Sequence, residues 1–187
     1  MDGDIKVETL TAELPMDEFI ASFVDVERFE ACCAQCPGYG KTWACPPYSF
    51  DPNGVWSRYK SIELYAKKVF VPESMREKHH SADELAKAYN ELLTPVKDRL
   101  MDELYAMERE TPHSLALSAG GCGLCAECTR PHGERCRNPR KMRWSVESLG
   151  GDVLKCITQV LGEEVLWAEN GRLPEHFILL GGLLKKQ

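Results

Sequence analysis

Apolar residues recur at intervals of three and four over residues 85–107, the period of an amphipathic α-helix with one face in the core. Ser81 and Glu84 stand just before this segment in the spacing of a capping box, so the helix is predicted to begin there and to run to about Glu110. Pro95 lies inside the segment. Because proline lacks a backbone N–H, it should kink the helix or divide it in two.

Shorter patterned segments predict the remaining elements. Helices are expected after Pro15 and over residues 152–161. Strands are expected over five apolar or alternating segments: 5–10, 62–71, 115–119, 165–167 and 176–180. The last two flank the turn Asn170-Gly171, which is typical of a hairpin. Together these elements predict an α+β or α/β fold, with one sheet of about four to five strands and helices packed on it.

The net charge and the hydropathy of the chain argue against nucleic-acid binding and membrane insertion. The 187 residues carry a net charge of −6, so no basic excess is available to neutralise the phosphates of a nucleic acid. The beginning of the chain is acidic and does not resemble a signal peptide. The longest apolar run, residues 177–184, is too short to cross a bilayer. The chain is therefore expected in the cytoplasm, with no membrane contact.

The nine cysteines are the residues that say most about the function of the chain. Eight of them lie in two windows, 32–45 and 122–136, within irregular loops at about residues 32–53 and 120–143. The ninth, Cys156, stands on a predicted helix, where it is expected to pack. Cysteines crowded in this way in a reducing compartment are more often metal ligands than disulfides. Residues 1–187 are therefore predicted to form a single metal-binding domain.

The second window carries the stronger signal. Three cysteines follow one another at intervals of three, and a fourth comes eight residues later: Cys122, Cys125, Cys128 and Cys136. Ferredoxin-type sites use a similar triple to wrap thiolates around one face of a [4Fe–4S] cluster. Zinc is the alternative, although structural zinc sites prefer two Cys-x2-Cys pairs separated by a spacer. One or two iron–sulfur clusters are the predicted cofactors.

Basic side chains surround this window, with Glu134 as the single acidic residue between positions 130 and 143. They are Arg130, Arg135, Arg137, Arg140, Lys141 and Arg143. Two interpretations of these side chains stay open. Their guanidinium groups stabilise an anionic cluster, or they belong to an ordinary solvated surface. A nucleic-acid patch is the least favoured interpretation, because the rest of the chain is acidic.

The first window supplies Cys33, Cys36 and Cys45 as further candidate ligands, with Cys32 directly before them. Two adjacent cysteines rarely bind the same metal, so one of Cys32 and Cys33 is expected to be spare. The spacing argues against a radical-SAM site, because Tyr39 stands where the third cysteine is required. It also excludes covalent haem, since no Cys-x2-Cys pair is followed by histidine.

Polar residues after the second window permit two interpretations. They are Arg143, Ser145, Glu147 and Asp152. These side chains either form a polar site beside the metal or stabilise the beginning of the helix that follows, with Asp152 as its N-cap.

The two windows together follow a wider pattern. Its first half is Cys33-x2-Cys36-Pro-x-Tyr-Gly-x2-Trp-x-Cys45-Pro-Pro. Its second half is Ala119-Gly-Gly-Cys122-x2-Cys125-x2-Cys128, then Cys136-Arg-x-Pro139, then Arg143-x-Ser145-x-Glu147. This pattern resembles a family of cysteine-rich "predicted metal-binding" proteins, a domain of unknown function common in anaerobic bacteria and archaea. The resemblance implies a metal site at these cysteines and no established reaction. Cys32 is an addition to the family pattern, which supports it as the spare thiol.

Three functions stay open on these grounds. The first is an electron carrier that exchanges electrons with a protein redox partner. The second is an enzyme in which Cys33, Cys36 and Cys45 leave one iron open for a substrate. The third is a zinc-stabilised interaction module without a redox role. The sequence contains no phosphate-binding loop or dinucleotide fingerprint that would favour another chemistry.

Overall fold

Four strands form one antiparallel sheet in the computed structural model, which describes residues 5–186. They are β1 (Val7–Pro15), β2 (Ser61–Phe70), β3 (Leu115–Leu117) and β4 (His176–Lys185). Their order across the sheet is β1-β2-β4-β3, so β2 and β4 are inner strands. The sheet confirms the predicted number of strands, and with its helices the fold is α+β.

Helices precede, separate and cover these strands. They are α1 (Met16–Phe23), α2 (Val26–Cys33), α3 (Asn53–Trp56), α4 (Glu73–Arg76), α5 (Ala82–Glu110) and α6 (Val153–Lys155). A π-helical turn, Cys156–Val160, extends α6, and short 3-10 turns cover Arg130–His132 and Glu147–Leu149. The three predicted helices are confirmed as α1, α5 and the segment formed by α6 with its extension.

Helix α5 begins at the predicted capping box. The Ser81 hydroxyl accepts a hydrogen bond from Glu84 N at 3.3 Å, and Ser81 N donates to Glu84 Oε2 at 2.7 Å. The helix is continuous through Pro95, so of the two predicted effects, a kink or a division, the division does not occur. Buried Leu92 and Val96 hold the helix against its neighbours on both sides of the proline, which offsets the hydrogen bond that proline cannot donate.

Both faces of the sheet are covered, which explains why β4 is apolar along most of its length. One face packs against α1 and α3 in a core that includes Phe19, Trp56, Ile62, Leu64 and Leu180. The other face packs against α5 in a core of Leu100, Leu104, Ala116, Ala119 and Leu183. Alternate residues of β2 and β4 point to opposite faces, so each strand contributes to both cores.

Strand β4 is twice as long as the predicted segment and continues through Gly181-Gly182. A Cβ on Gly181 would lie 2.7 Å from the Leu117 carbonyl oxygen and 2.8 Å from Leu104 Cδ1. Only glycine therefore lets β3 and α5 approach the centre of β4 this closely. The glycine pair suggested the end of a strand in the sequence, whereas it marks a close contact inside one.

The predicted strand at residues 165–167 is wrong. Asn170 and Gly171 do form the expected tight turn with positive φ angles, but it is closed by a single bridge between Glu169 and Arg172. Trp167 is 64% exposed, so the segment before the turn buries too little apolar surface to extend the pairing.

Among the helices of residues 5–186, none is long and apolar enough to cross a membrane.

Candidate metal centre

Helix α2 positions the first two cysteines of the chain. Cys32 and Cys33 occupy its last turn, and the Asp25 side chain caps its N-terminus by accepting a hydrogen bond from Arg28 N. The pattern of apolar residues did not predict this helix, because none of its side chains is buried. Successive residues on a helix project about 100° apart, so the two thiols point in different directions. Cys32 is exposed and Cys33 is half-buried.

Cys36 and Cys45 lie close to Cys33. Burial raises the pKa of the Cys33 thiol to about 11, aided by the Glu147 carboxylate and then by the Cys45, Cys36 and Cys32 thiols. A thiolate at this position therefore needs a cation beside it, and a bound metal ion would supply one. The structure thus brings together the three cysteines predicted as ligands in the first window.

Gly38 lies beside two of these sulfurs. Its N–H donates to Cys36 Sγ at 3.4 Å, and a Cβ at this position would lie 3.7 Å from Cys36 Sγ and 4.0 Å from Cys45 Sγ, which is ordinary contact. A backbone N–H that points at a cysteine sulfur is typical of a site that must hold negative charge. The first window therefore has a backbone donor of the kind that a thiolate-bound metal site uses.

The four cysteines of the second window line a single small cavity of about 20 Å³: Cys122, Cys125, Cys128 and Cys136. The loop that carries them is closed at its base by a parallel bridge between Ser118 and Ser145, where Ser118 N donates to the Trp144 carbonyl at 2.8 Å. Burial raises the pKa of Cys122, and the Leu124 N–H partly opposes this by donating to the sulfur. The structure therefore places all four predicted ligands on the wall of one cavity.

Two polar side chains on the wall of this cavity fit a metal centre. Asn138 Nδ2 donates to Cys125 Sγ at 3.1 Å. Thr42, which comes from the first cysteine window, has a buried hydroxyl with no hydrogen-bond partner among the described residues. An unpaired buried hydroxyl costs free energy unless a ligand satisfies it, and a metal-bound thiolate is an acceptor that would do so. Sequence analysis missed both residues, since neither amide nor hydroxyl has a fixed spacing to the cysteines.

Arg130 joins the two cysteine windows. Its guanidinium group donates to the carbonyl oxygens of Thr42, Cys45 and Pro47, and it lies 5.5 Å from the Trp43 ring centre. Trp43 Nε1 in turn donates to the Glu134 carbonyl at 3.2 Å. Thr42 and Trp43 therefore form part of the wall around the second group of cysteines. The two windows are one structural unit, not two separate loops.

Aromatic side chains support the same junction from the core side. The Trp144 ring centre lies 5.1 Å from that of Phe50 and 6.3 Å from that of Tyr48, and the Tyr48 hydroxyl donates to the Ala44 carbonyl at 2.7 Å. Burial raises the pKa of Tyr48, so this side chain stays neutral. Trp144 thus connects the end of the second window to the segment that follows Cys45.

Glu147 and Asp152 have different roles. Asp152 accepts a hydrogen bond from Lys155 N at 2.9 Å, which makes it the N-cap of α6, as one interpretation of the sequence predicted. Burial raises the pKa of Glu147, and hydrogen bonds from Ser145 and Gly120 together with the charge of Lys97 partly oppose that shift. Glu147 therefore lies between the beginning of the second window and Cys33.

Arg143 anchors the second window to helix α5. Its guanidinium group donates to both oxygens of Glu108, at 3.1 Å from Nε and 2.5 Å from Nη2, and lies 5.3 Å from the Tyr105 ring centre. Both charged side chains are about 15% exposed. Removing one partner of such a pair leaves the other charge buried without compensation.

We expect Glu108→Gln to lower the free energy of unfolding by about 3 kcal/mol. Glu91→Gln is the matched control, since its ion pair with Lys87 on the same helix is exposed and should contribute less than about 0.5 kcal/mol. Urea denaturation of both variants under identical metal loading measures the difference. Equal losses would show that the Arg143–Glu108 pair does not anchor the loop.

A larger groove of about 400 Å³ lies between α5 and the second window. Cys122 and Leu124 line both this groove and the small cavity, so they separate the two spaces. Lys97 reaches across the groove from α5 and donates to the Gly121 carbonyl. The cysteine-lined cavity is therefore separated from solvent on this side by a single layer of residues.

In the described part of the chain, no three His, Cys, Asp or Glu side chains are already grouped tightly enough to hold a single metal ion. All nine cysteines lie in that part, and all are free thiols. The structure therefore supplies candidate ligands on two joined loops without a compact mononuclear site.

The family model for predicted metal-binding proteins (DUF2284) matches residues 21–184, and the chain belongs to this family. The match covers both cysteine windows and the sheet from β2 to β4. No curated protein and no solved structure matches the chain.

Proposed function

We propose that this member of the predicted metal-binding family is an iron–sulfur protein that carries electrons. The observation that carries the proposal is the single cavity lined by four cysteines: Cys122, Cys125, Cys128 and Cys136. These residues would hold a [4Fe–4S] cluster, which gains and releases single electrons. Asn138 and the unpaired Thr42 hydroxyl would donate hydrogen bonds to its sulfurs.

Shielding from water supports a cluster at this position. Trp43, Leu124 and Met142 contribute apolar surface to the cavity, and Arg137 contributes a positive charge. A thiolate-bound cluster is anionic, so a nearby guanidinium group stabilises it and raises its reduction potential. The first window would hold a second cluster through Cys33, Cys36 and Cys45, beside the N–H of Gly38.

The sequence spacing of the candidate ligands also favours a cluster over a single ion. Cys122, Cys125 and Cys128 follow one another at intervals of three, which is the spacing that ferredoxin-type sites use around one face of a cubane. Structural zinc sites prefer two Cys-x2-Cys pairs separated by a spacer.

A zinc-stabilised interaction module is the second candidate, and the volume of the cavity favours it. About 20 Å³ accommodates one ion, whereas a cubane requires the four cysteine side chains to rotate outwards. Glycines at positions 120, 121 and 123 give this loop the backbone freedom for such a rotation. A Cβ at Gly121 or Gly123 would meet nothing within 4 Å, so the space is available.

We expect protein isolated without oxygen to be brown and to contain iron and acid-labile sulfide in equal amounts, at about four of each per cluster. Metal analysis of the purified chain, with iron and zinc both available during expression, measures this directly. About one equivalent of zinc without iron would contradict the proposal and would support the zinc module.

A further inference from the structure

The surface around the second window carries four exposed basic side chains, here called the basic rim: Arg135, Arg137, Arg140 and Lys141. None of them forms an ion pair with a described residue. The neighbouring acidic side chains are Glu134, Glu127 with its contact to His132, and Asp98 and Asp102 of α5, which line the groove on the side of Lys141. The rim is therefore a positive patch on a chain whose net charge is −6.

Leu124 lies within this rim. It is 40% exposed, beside the half-buried thiols of the second window. It lines the cysteine cavity together with Arg137, and it lines the larger groove together with Lys141. Leu124 thus places an exposed apolar side chain directly beside the cavity.

We infer that the basic rim, together with Leu124, is the docking surface for an acidic electron-transfer protein. This inference rests on the proposed function. Transient redox complexes use small interfaces in which opposite charges steer the approach and a few apolar contacts close the distance between the redox centres. The rim supplies the charges and Leu124 supplies the apolar contact. Leu124 and Arg137 line the cysteine cavity itself, and the other three basic residues belong to the loop segment that follows it.

The same features argue against nucleic acid as the occupant of this surface. A single-stranded nucleic acid requires exposed aromatic side chains on which its bases stack, and the rim contains none. The other 183 residues carry a net charge of −10, because the rim contributes +4 to the total of −6. A long polyanion would therefore meet repulsion beyond the rim, whereas a small acidic protein would not.

The test uses the complete, metal-loaded chain and an acidic flavodoxin as the probe. The flavodoxin hydroquinone gives up one electron, and the oxidised metal centre accepts it. Stopped-flow absorbance gives the second-order rate constant at 20 mM and at 500 mM NaCl. We expect the rate constant of the natural sequence to fall at least about tenfold with salt, because salt screens the steering charges.

Charge-reversed variants test whether the basic rim is the surface on which the flavodoxin docks. The double variant Arg140→Glu/Lys141→Glu should lose most of the low-salt rate, and Arg140→Gln/Lys141→Gln should lose an intermediate part. The control Lys78→Glu/Lys87→Glu changes the net charge equally near the beginning of α5, about 27 Å of helix away from Tyr105, and should keep the natural rate. Metal content and reduction by photoreduced deazariboflavin, a small neutral donor, should be the same in all four proteins.

Three results would overturn the inference. Equal rates in the two charge-reversed variants would show that the rim does not steer the donor. Binding of a 20-nucleotide single-stranded DNA that only the Arg140/Lys141 reversal abolishes, with unchanged electron-transfer rates, would assign the rim to nucleic acid. Protein that contains zinc and no redox-active metal would remove the proposed function and the inference together, and metal analysis distinguishes that case from the first.

Discussion

Cys125→Ser is expected to remove one metal centre per chain almost completely. Soft thiolates bind iron and zinc strongly, whereas the serine hydroxyl stays protonated near neutral pH and is a poor ligand for either. Cys125 also accepts the Asn138 hydrogen bond, which a serine hydroxyl oxygen can accept as well, so the substitution removes the thiolate ligand and keeps a partner for Asn138. Iron, sulfide and zinc analysis of the variant, with the visible absorption spectrum, measures the loss. The same result is expected for Cys122, Cys128 and Cys136.

Cys156→Ala is the matched control for this series. Cys156 is fully buried among apolar side chains next to α6, and burial raises the pKa of its thiol to about 12. The variant should lose about 1 kcal/mol of stability by leaving a small cavity and should keep its full metal content. Full metal content in Cys125→Ser, or metal loss in Cys156→Ala, would contradict the assignment of the second window.

Cys32→Ser and Cys33→Ser are expected to differ sharply, although the two residues are adjacent. Cys33 is half-buried, whereas Cys32 is exposed and projects about 100° away from it on α2. The Sγ atoms of Cys36 and Cys45 both lie beside Gly38. Cys33→Ser should therefore remove a second metal centre, and Cys32→Ser should leave metal content and spectrum unchanged. Cys36→Ser and Cys45→Ser should behave like Cys33→Ser.

The ligand count at the first window also separates carrier from enzyme. With Cys33, Cys36 and Cys45 as the only thiolates, one iron of a cubane has no protein sulfur and is free to bind another molecule. Small thiols or carboxylates should then shift the EPR signal of the reduced protein. Metal loss in Cys32→Ser, with no shift on adding such ligands, would show a closed site and leave electron transfer as its role.

Local signals were sufficient for much of the fold. The capping box at Ser81 and the apolar stripe of α5 identified the longest helix, because caps and periodicity act within a few residues. Helix α2 was missed, since its side chains lie on the surface and leave no apolar stripe. The true end of β4 was also missed, because the need for Gly181 arises from Leu104 and Leu117, which are distant in sequence.

The candidate site, like the fold, was predictable from the sequence only in part. The spacing of the cysteines identified the thiols that the structure gathers, because neighbouring ligands of one centre must lie close in sequence or in space. The junction between the two windows was not predictable. Arg130 bonds to backbone carbonyl oxygens of Thr42, Cys45 and Pro47, and any residue type presents a carbonyl. A hydrogen bond to a backbone carbonyl therefore cannot be predicted from the residue types of the accepting segment.

The strand order has a consequence for how the protein matures. Strands β1 and β2 flank the first cysteine window and pair with each other within residues 7–70. Strand β4 joins them much later in the sequence, and Lys185 donates there to Glu63, 122 positions away. Contacts over such separations form slowly. The first window is also held by Arg130, which bonds to the Cys45 carbonyl, and by Trp144, which packs on Phe50. Neither cysteine window can therefore be enclosed until most of the chain has been synthesised.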